Sequence, residues 1–315
     1  MPHSEAGMSD EKIKVSIIIP HYNQKLCLQG LFPNIVDQTF KDFEVILIDD
    51  CTPDEAAIAF VRDFIKDKPN MHLVQNKVNM RFVKTCNKGI KLAKGEYLCF
   101  LNQDTKIKNN FIQRNVEILD ADATIGGLTC IVVDKSGQNW FSGGSYSKGV
   151  PINLKDNFQG VRPVDFIAGT AAFYRRDVFD KIGPFDENYI MYHEDVEFGL
   201  RMRQLTDYRL CTFSEKLVTH LIIGSLSLPN LIYYDSRNLL LLSRRFAPQY
   251  VPKTMGNVLR QAAPYLFEAF RSILTMKPLT TIYNVRCAIA RLRGAIDGII
   301  ARQTQHVHAD KTKLK

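Results

Sequence analysis

Three short polar clusters carry residue types suited to anions, cations and sugars: His21-Tyr22-Asn23, Asp49-Asp50 and Asn102-Gln103-Asp104. Each follows an apolar run, so each is expected at the end of a strand. An aspartate there offers hard oxygen ligands to Mg²⁺ or Mn²⁺. Such an ion, completed by a ligand's phosphate oxygens, acts as a Lewis acid on a departing diphosphate. Asp104 is the best ligand candidate of this kind. Any one cluster also reads as ordinary helix-capping or turn chemistry; three at one edge shift the balance towards a site. Glu194, Asp195 and Glu197 open a helix-like stretch, where carboxylates suit the dipole, and Glu194 and Glu197 also read as solvated caps. His220 follows the strand-like Lys216 to Val218 and reads either as a half-buried histidine or as a ligand. Trp140, the only tryptophan, sits in a loop-like stretch where it would stack on a sugar or join the core. Arg175-Arg176 reads as a solvated turn or a phosphate contact.

The elements that must position these residues follow from periodicity. Val15 to Ile19, Phe43 to Ile48, His72 to Gln75 and Tyr97 to Leu101 are short, mostly apolar runs that read as strands. Between them, Leu26 to Asp37, Asp54 to Ile65 and Val83 to Ala93 have helical spacing. That alternation predicts a parallel sheet covered on both faces, with ligands bound beyond the carboxyl ends of its strands. Ala121 to Asp165 predicts shorter strands and loops, Phe166 to Tyr174 another buried strand, and Glu194 to Arg203 a helix.

Composition narrows the class. The 315 residues, 45% apolar and 23% charged, are globular in character. Seven scattered cysteines without CxxC or Cys/His spacing argue for reduced thiols in a cytoplasmic protein, and against a zinc site or disulfide scaffold. The polar start predicts no signal peptide, and the longest uncharged stretch, Leu217 to Tyr234, is too polar for a bilayer span. From Tyr250 onward there are 11 Lys/Arg and 3 Asp/Glu, so the whole net charge of +8 belongs to this final segment.

Order and spacing together resemble a known family. Val15-Ser-Ile-Ile-Ile-Pro-His-Tyr-Asn23 and Ile46-Leu-Ile-Asp-Asp50 resemble the first two strands of family 2 glycosyltransferases. Asn87-Lys-Gly89 resembles their N-x-G element, and Phe100-Leu-Asn-Gln-Asp-Thr105 their Asp-x-Asp metal motif. Gly183-Pro-Phe-Asp-Glu187, with Tyr192-His-Glu-Asp-Val-Glu-Phe-Gly-Leu-Arg201, resembles their acceptor-side signature, and His220 in Thr219 to Ser225 matches a histidine that often completes the metal site. The resemblance spans roughly residues 13 to 245 and is nearest to rhamnosyltransferase-like members that build surface polysaccharides. It implies an α/β GT-A fold, Rossmann-like, with a mostly parallel sheet, flanking helices and a C-terminal helical extension.

The same resemblance implies roles. Pro20 and Tyr22 would line the nucleobase pocket, Asp49 or Asp50 would bond base or ribose, and Asn87 would belong to the nucleotide side. Asp104 and His220 would hold Mg²⁺ or Mn²⁺ on the diphosphate. Asp195 would be the general base of an inverting transfer, with Glu194 and Trp140 on the acceptor side. The donor would be a dTDP-, UDP- or GDP-linked sugar, rhamnose first, and the acceptor a saccharide or lipid-linked saccharide. Two positions depart from the pattern. Asn102-Gln103-Asp104 lacks one carboxylate, although an amide still bonds a sugar hydroxyl or metal-bound water. Asn79-Met-Arg-Phe82 places Arg81 where relatives commonly have glycine, and that side chain would reach the nucleotide.

The expected organisation is a flexible tail at 1–12, a catalytic domain at 13–225 (nucleotide half 13–120, acceptor half 121–225) and a basic helical extension at 226–315. In the extension Ile282, Val285, Ile289, Leu292, Ile296 and Ile299 form an apolar seam, with Arg286, Arg291, Arg293 and Arg302 outside it. Such a helix suits peripheral contact with an anionic membrane surface on the inner face of the cell. Packing through Gly294 and Gly298, on the catalytic domain or in a homodimer, is the favoured reading, and it is compatible with membrane contact. No module accompanies the charge that would make nucleic acid a partner.

Overall fold

A computed structural model describes residues 13–221 and 227–301. The tail at 1–12, residues 222–225 of the histidine motif and Arg302 lie outside them. In chain order the elements are β1 (Val15–His21), α1 (Lys25–Val36), β2 (Phe43–Asp49), α2 (Glu55–Ile65), β3 (Met71–Gln75), α3 (Arg81–Leu92), β4 (Tyr97–Leu101), β5 (Thr105–Ile107) and α4 (Phe111–Ala121). Then come β6 (Ile125–Val133), β7 (Asn139–Phe141), β8 (Gly143–Ser147), β9 (Val150–Leu154), β10 (Val161–Val164), β11 (Ala171–Arg175), α5 (Arg176–Ile182), α6 (Glu194–Leu205) and β12 (Arg209–His220). The last four are helices: α7 (Leu228–Phe246), α8 (Val251–Arg260), α9 (Ala263–Leu274) and α10 (Pro278–Ile300).

The main sheet runs β10-β12-β6-β11-β4-β1-β2-β3, with β5 on β12 and β7 on β6. β4, β1, β2 and β3 are mutually parallel, while β11 is antiparallel to both β4 and β6. Side chains of β1 alternate between two cores, Ile17 and Ile19 on one face and Ile18 on the other. Burial on both faces is why these strands read as mostly apolar runs, and the polar exceptions Ser16 and Glu44 hydrogen-bond to each other. The chain leaves β1 towards β2 on one side and later returns as β4 on the other. The switch point therefore lies between β1 and β4, and their carboxyl ends open the crevice expected to take ligands.

One expectation is corrected. Phe166 to Tyr174 is not one strand: β11 begins only at Ala171, and the preceding Gly169-Thr170 leaves the ladder to reach α6 and the end of β4. In α10 the packing contact runs through Gly294 and Gly298, as their spacing suited, and most of the apolar seam stays exposed. The helix buries its small-residue face, including Cys287, Ala288, Gly294 and Gly298, against the rest of the chain, with Arg291 among them. A Cβ on Gly294 or Gly298 would stand 2.4 Å from the carbonyl oxygen of Tyr233 or Arg237, so α10 lies directly on the backbone of α7. Arg291 is accommodated on this face because its guanidinium pairs with Asp235 at 2.9 Å and donates to Ser236 Oγ.

Candidate active site

The crevice at the switch point is lined by Pro20, Tyr22, Asp50, Arg81 and Gln103, among others. Gln103 organises its floor: its Oε1 accepts from the Tyr22 N–H at 3.2 Å and meets His21 Nδ1 at 2.5 Å, while its Nε2 donates to the Tyr22 carbonyl. Burial pushes His21 below the ordinary imidazole range, so a neutral ring fits this contact. Asp49 lies behind the wall, accepting from Thr52 N–H and Gln75. Asp50 faces the crevice and also accepts from Asn76 and from the N–H groups of Met80 and Arg81 at 2.7 and 2.8 Å.

Those bonds hold Arg81 at φ +69°, the left-handed region that favours glycine. An arginine kept there carries strain of about 1 kcal/mol, and its side chain is exposed at the crevice. Arg81→Gly is therefore expected to stabilise the fold by about 1 kcal/mol. In the nucleotide-binding role that the motif resemblance implies for Arg81, the same change should weaken nucleotide-diphosphate binding by about tenfold, as loss of a charge-assisted hydrogen bond would. Thermal unfolding and titration calorimetry on the same preparation read both effects.

At the end of β4, Asp104 Oδ2 lies 3.3 Å from His220 Nε2, with both side chains largely buried. The register that pairs His220 with Thr105 brings the two together, and the Leu221 N–H donates to the Asp104 carbonyl. Trp140 packs edge-on against the His220 ring, centroids 4.5 Å apart. His220 Nδ1 is buried and has no hydrogen-bond partner among the described residues. Two cis donors on an octahedral ion with bonds near 2.1 Å stand about 3 Å apart, and Mg²⁺-type sites use one or two protein ligands plus substrate phosphates. The pair fits such an ion. No group of three or more His, Cys, Asp or Glu side chains arranged for a metal exists among the described residues, so phosphate and water would supply the remaining ligands.

Glu194 and Asp195 begin α6 and are held differently. Asp195 accepts from Gly169 N–H at 3.1 Å and Val196 N–H at 2.8 Å, bonds that favour its ionised form. Glu194 is buried, and its Oε2 finds no partner among the described residues. Burial raises both carboxyls, and Asp195's charge raises Glu194 further. The two backbone N–H bonds favour the charge on Asp195, while burial without a partner favours the proton on Glu194. The Gly169-Thr170 turn joins this pair to the other half of the site, because the Thr170 carbonyl accepts from Asn102 N–H at 2.9 Å.

A stability consequence follows from Glu194. Its folded pKa lies above the unfolded value, so its contribution is full below the ordinary carboxylate range and is lost as pH rises through the folded value. Glu194→Gln is expected to melt increasingly above wild type as pH is raised from the acid to the alkaline side. A difference that stays flat with pH would refute a buried, proton-holding Glu194.

The approach to α6 is strained and braced. Ile190, Tyr192 and His193 all have positive φ. Asn238 of α7, fully buried, donates to the carbonyls of Tyr189, Met191 and Tyr192 at 2.7 to 2.8 Å, and His193 Nε2 meets Asp235 at 3.0 Å. Sequence reasoning missed Gly169, Asp235 and Asn238. Only the position of Asn238, a polar residue just before the apolar run Leu239 to Leu242 of α7, hinted at the last.

Other candidates move elsewhere. Asn87 is not in the crevice: it is buried, exchanging hydrogen bonds with the Phe185 backbone at 2.9 and 3.1 Å, while a Cβ on Gly89 would meet Ile18. Glu197 is not a solvated cap but fully buried, paired with Arg201 and Arg245, each at 2.8 Å. Arg175 and Arg176 donate to backbone carbonyls, which makes that turn a structural clamp.

The chain belongs to the glycosyl transferase family 2, whose sequence profile matches residues 16–183. The amylovoran biosynthesis glycosyltransferase AmsB of Erwinia amylovora is 27% identical over 201 residues, 61% of this chain and 65% of that protein. The fold is GT-A: the structure of S. aureus TarS 1-349 in complex with UDP matches with TM-score 0.57 at 17% identity, covering 90% of each chain. GalNAc-T7 with UDP, GalNAc and Mn²⁺ matches with TM-score 0.63 at 15% identity, over 87% of this chain and 55% of that one.

Proposed function

We propose that this chain transfers a hexose, with inversion, from a nucleotide-diphosphate donor to a saccharide or lipid-linked saccharide acceptor in surface polysaccharide assembly. The observation that carries the reading is the carboxylate pair at the start of α6, Asp195 accepting from Gly169 N–H and Val196 N–H beside the buried Glu194, joined by one turn to the strand end bearing Asp104 and His220. The family membership and the polysaccharide-directed relative support the reaction class. UDP in a neighbour of the same fold supports a nucleotide-diphosphate donor, and rhamnose as the sugar rests on motif resemblance alone. Residues 13–225 would form the catalytic domain and 226–301 the helical extension. Free and mostly buried cysteines support a reducing, cytoplasmic setting.

In this mechanism Pro20, Tyr22 and Asp50 hold the nucleoside, and Arg81 reaches the diphosphate. Asp104 and His220 would hold Mg²⁺ or Mn²⁺, which when bound supplies positive charge to the diphosphate leaving group. Asp195 accepts the acceptor hydroxyl's proton as that oxygen bonds to the anomeric carbon; the carbon–oxygen bond to the diphosphate breaks with its electron pair leaving on the diphosphate. Glu194, still protonated, leaves Asp195 the only anionic member of the pair. Trp140, half-buried against the core, packs on the His220 ring and keeps it in place.

A single displacement inverts the anomeric centre. NMR of the product should show a linkage of opposite configuration to the donor; retained configuration would sink this reading. A catalytically silent sugar-nucleotide binder is the alternative, and turnover unaffected by Asp195→Asn would favour it.

A further inference from the structure

We infer that the α9–α10 pair docks the protein onto an anionic membrane surface. Two helices that pack on each other each leave an apolar stripe uncovered. On α9 it consists of Leu266, Phe267, Phe270, Ile273 and Leu274, all more than half exposed. On α10 it includes Ile282, Ile289, Leu292, Ile296 and Ile300, opposite the small residues that seat the helix on α7. At the junction, Met276 and Leu279 are 89% and 81% exposed. Soluble surfaces rarely leave an apolar patch this extensive without a partner.

Charge selects the occupant. Arg260, Arg271, Lys277, Arg286 and Arg293 on these helices and their flanks are exposed. At 100° per residue, Arg286 and Arg293 fall along the edge of the α10 stripe. The acidic residues of 250–301 are only Glu268, paired with Arg271, and Asp297, bonded to Tyr233. A two-fold dimer through this face would set cations against cations without anions to answer them. Residues 302–315 contain only Val307 and Leu314 as large aliphatics, too little for that segment to cover the stripes. Anionic lipid satisfies both features, since apolar stripes enter the acyl boundary while arginines meet headgroups. No described helix is long and apolar enough to cross a membrane, so the contact is one of lying on the surface.

The test is flotation of the full chain with vesicles containing phosphatidylglycerol, beside pure phosphatidylcholine vesicles, and it is independent of catalysis. The expected result is binding to the anionic vesicles that weakens with salt. Phe270→Ser with Ile273→Ser should weaken it by about tenfold or more, and Arg286→Gln with Arg293→Gln by about fivefold per charge. Unchanged circular dichroism and melting verify that the variants fold. Absence of binding overturns the inference, as does binding insensitive to these substitutions. A concentration-dependent dimer abolished by the serine pair, with no vesicle binding, would assign the stripes to a second copy instead.

Discussion

Asp195→Asn is expected to lower kcat by about 10³-fold, the middle of the range for losing a general base, with donor binding essentially unchanged. The side chain keeps its size, and its oxygen can still accept from Gly169 or Val196 N–H, so the start of α6 should survive. What disappears is the only group in the pair arranged to be anionic. Because Glu194 is raised by burial and by Asp195 itself, removing that charge allows Glu194 to ionise more readily, and weak residual activity should rise towards alkaline pH. Steady-state rates with saturating donor, recorded across pH for both proteins, separate this from a folding defect. A defect in folding would lower the melting temperature and leave the shape of the pH profile unchanged.

Asp104→Ala is the second large effect, expected at about 10²- to 10³-fold in kcat/KM, comparable to removing one group that stabilises developing negative charge. Here donor binding should suffer as well, since the carboxylate acts on the diphosphate in ground and transition states alike. His220→Ala should cost less. The double variant should be hardly worse than Asp104→Ala, because the two side chains face one shared position. Titration of the nucleoside diphosphate, with Mn²⁺ and with chelator, reads the effect without an acceptor. Wild type should lose affinity in chelator and Asp104→Ala should not; equal loss in both would separate Asp104 from the metal.

Legibility from sequence followed from what each signal encodes. The β1, β2 and β4 strands were readable because two-sided burial writes itself as short, mostly apolar runs. Tyr22, Asp50 and Asp104 were readable because polar residues directly after such runs must fall at the sheet's carboxyl edge. Asn87 misled because an N-x-G motif does not reveal what the amide bonds to, and its partner Phe185 lies 98 positions away. Asn238 escaped for the same reason, its carbonyl partners lying 46 to 49 positions back. Gly169 gave no signal, since its role is one N–H presented by a turn that periodicity merged into a strand. In α10 the repeat marked a stripe correctly but not its direction. Small residues allow closer backbone approach, so Gly294 and Gly298 took the interior and the isoleucines were left outside.

The most direct measurement is release of nucleoside diphosphate from a panel of dTDP-, UDP- and GDP-sugars by the wild-type protein with Mn²⁺, beside the Asp195→Asn and Asp104→Ala variants. Transfer chemistry at this site predicts slow, chelator-sensitive release from one donor, lost in both variants, with that donor still bound by Asp195→Asn. Release from no donor, or release that both variants retain, would contradict it.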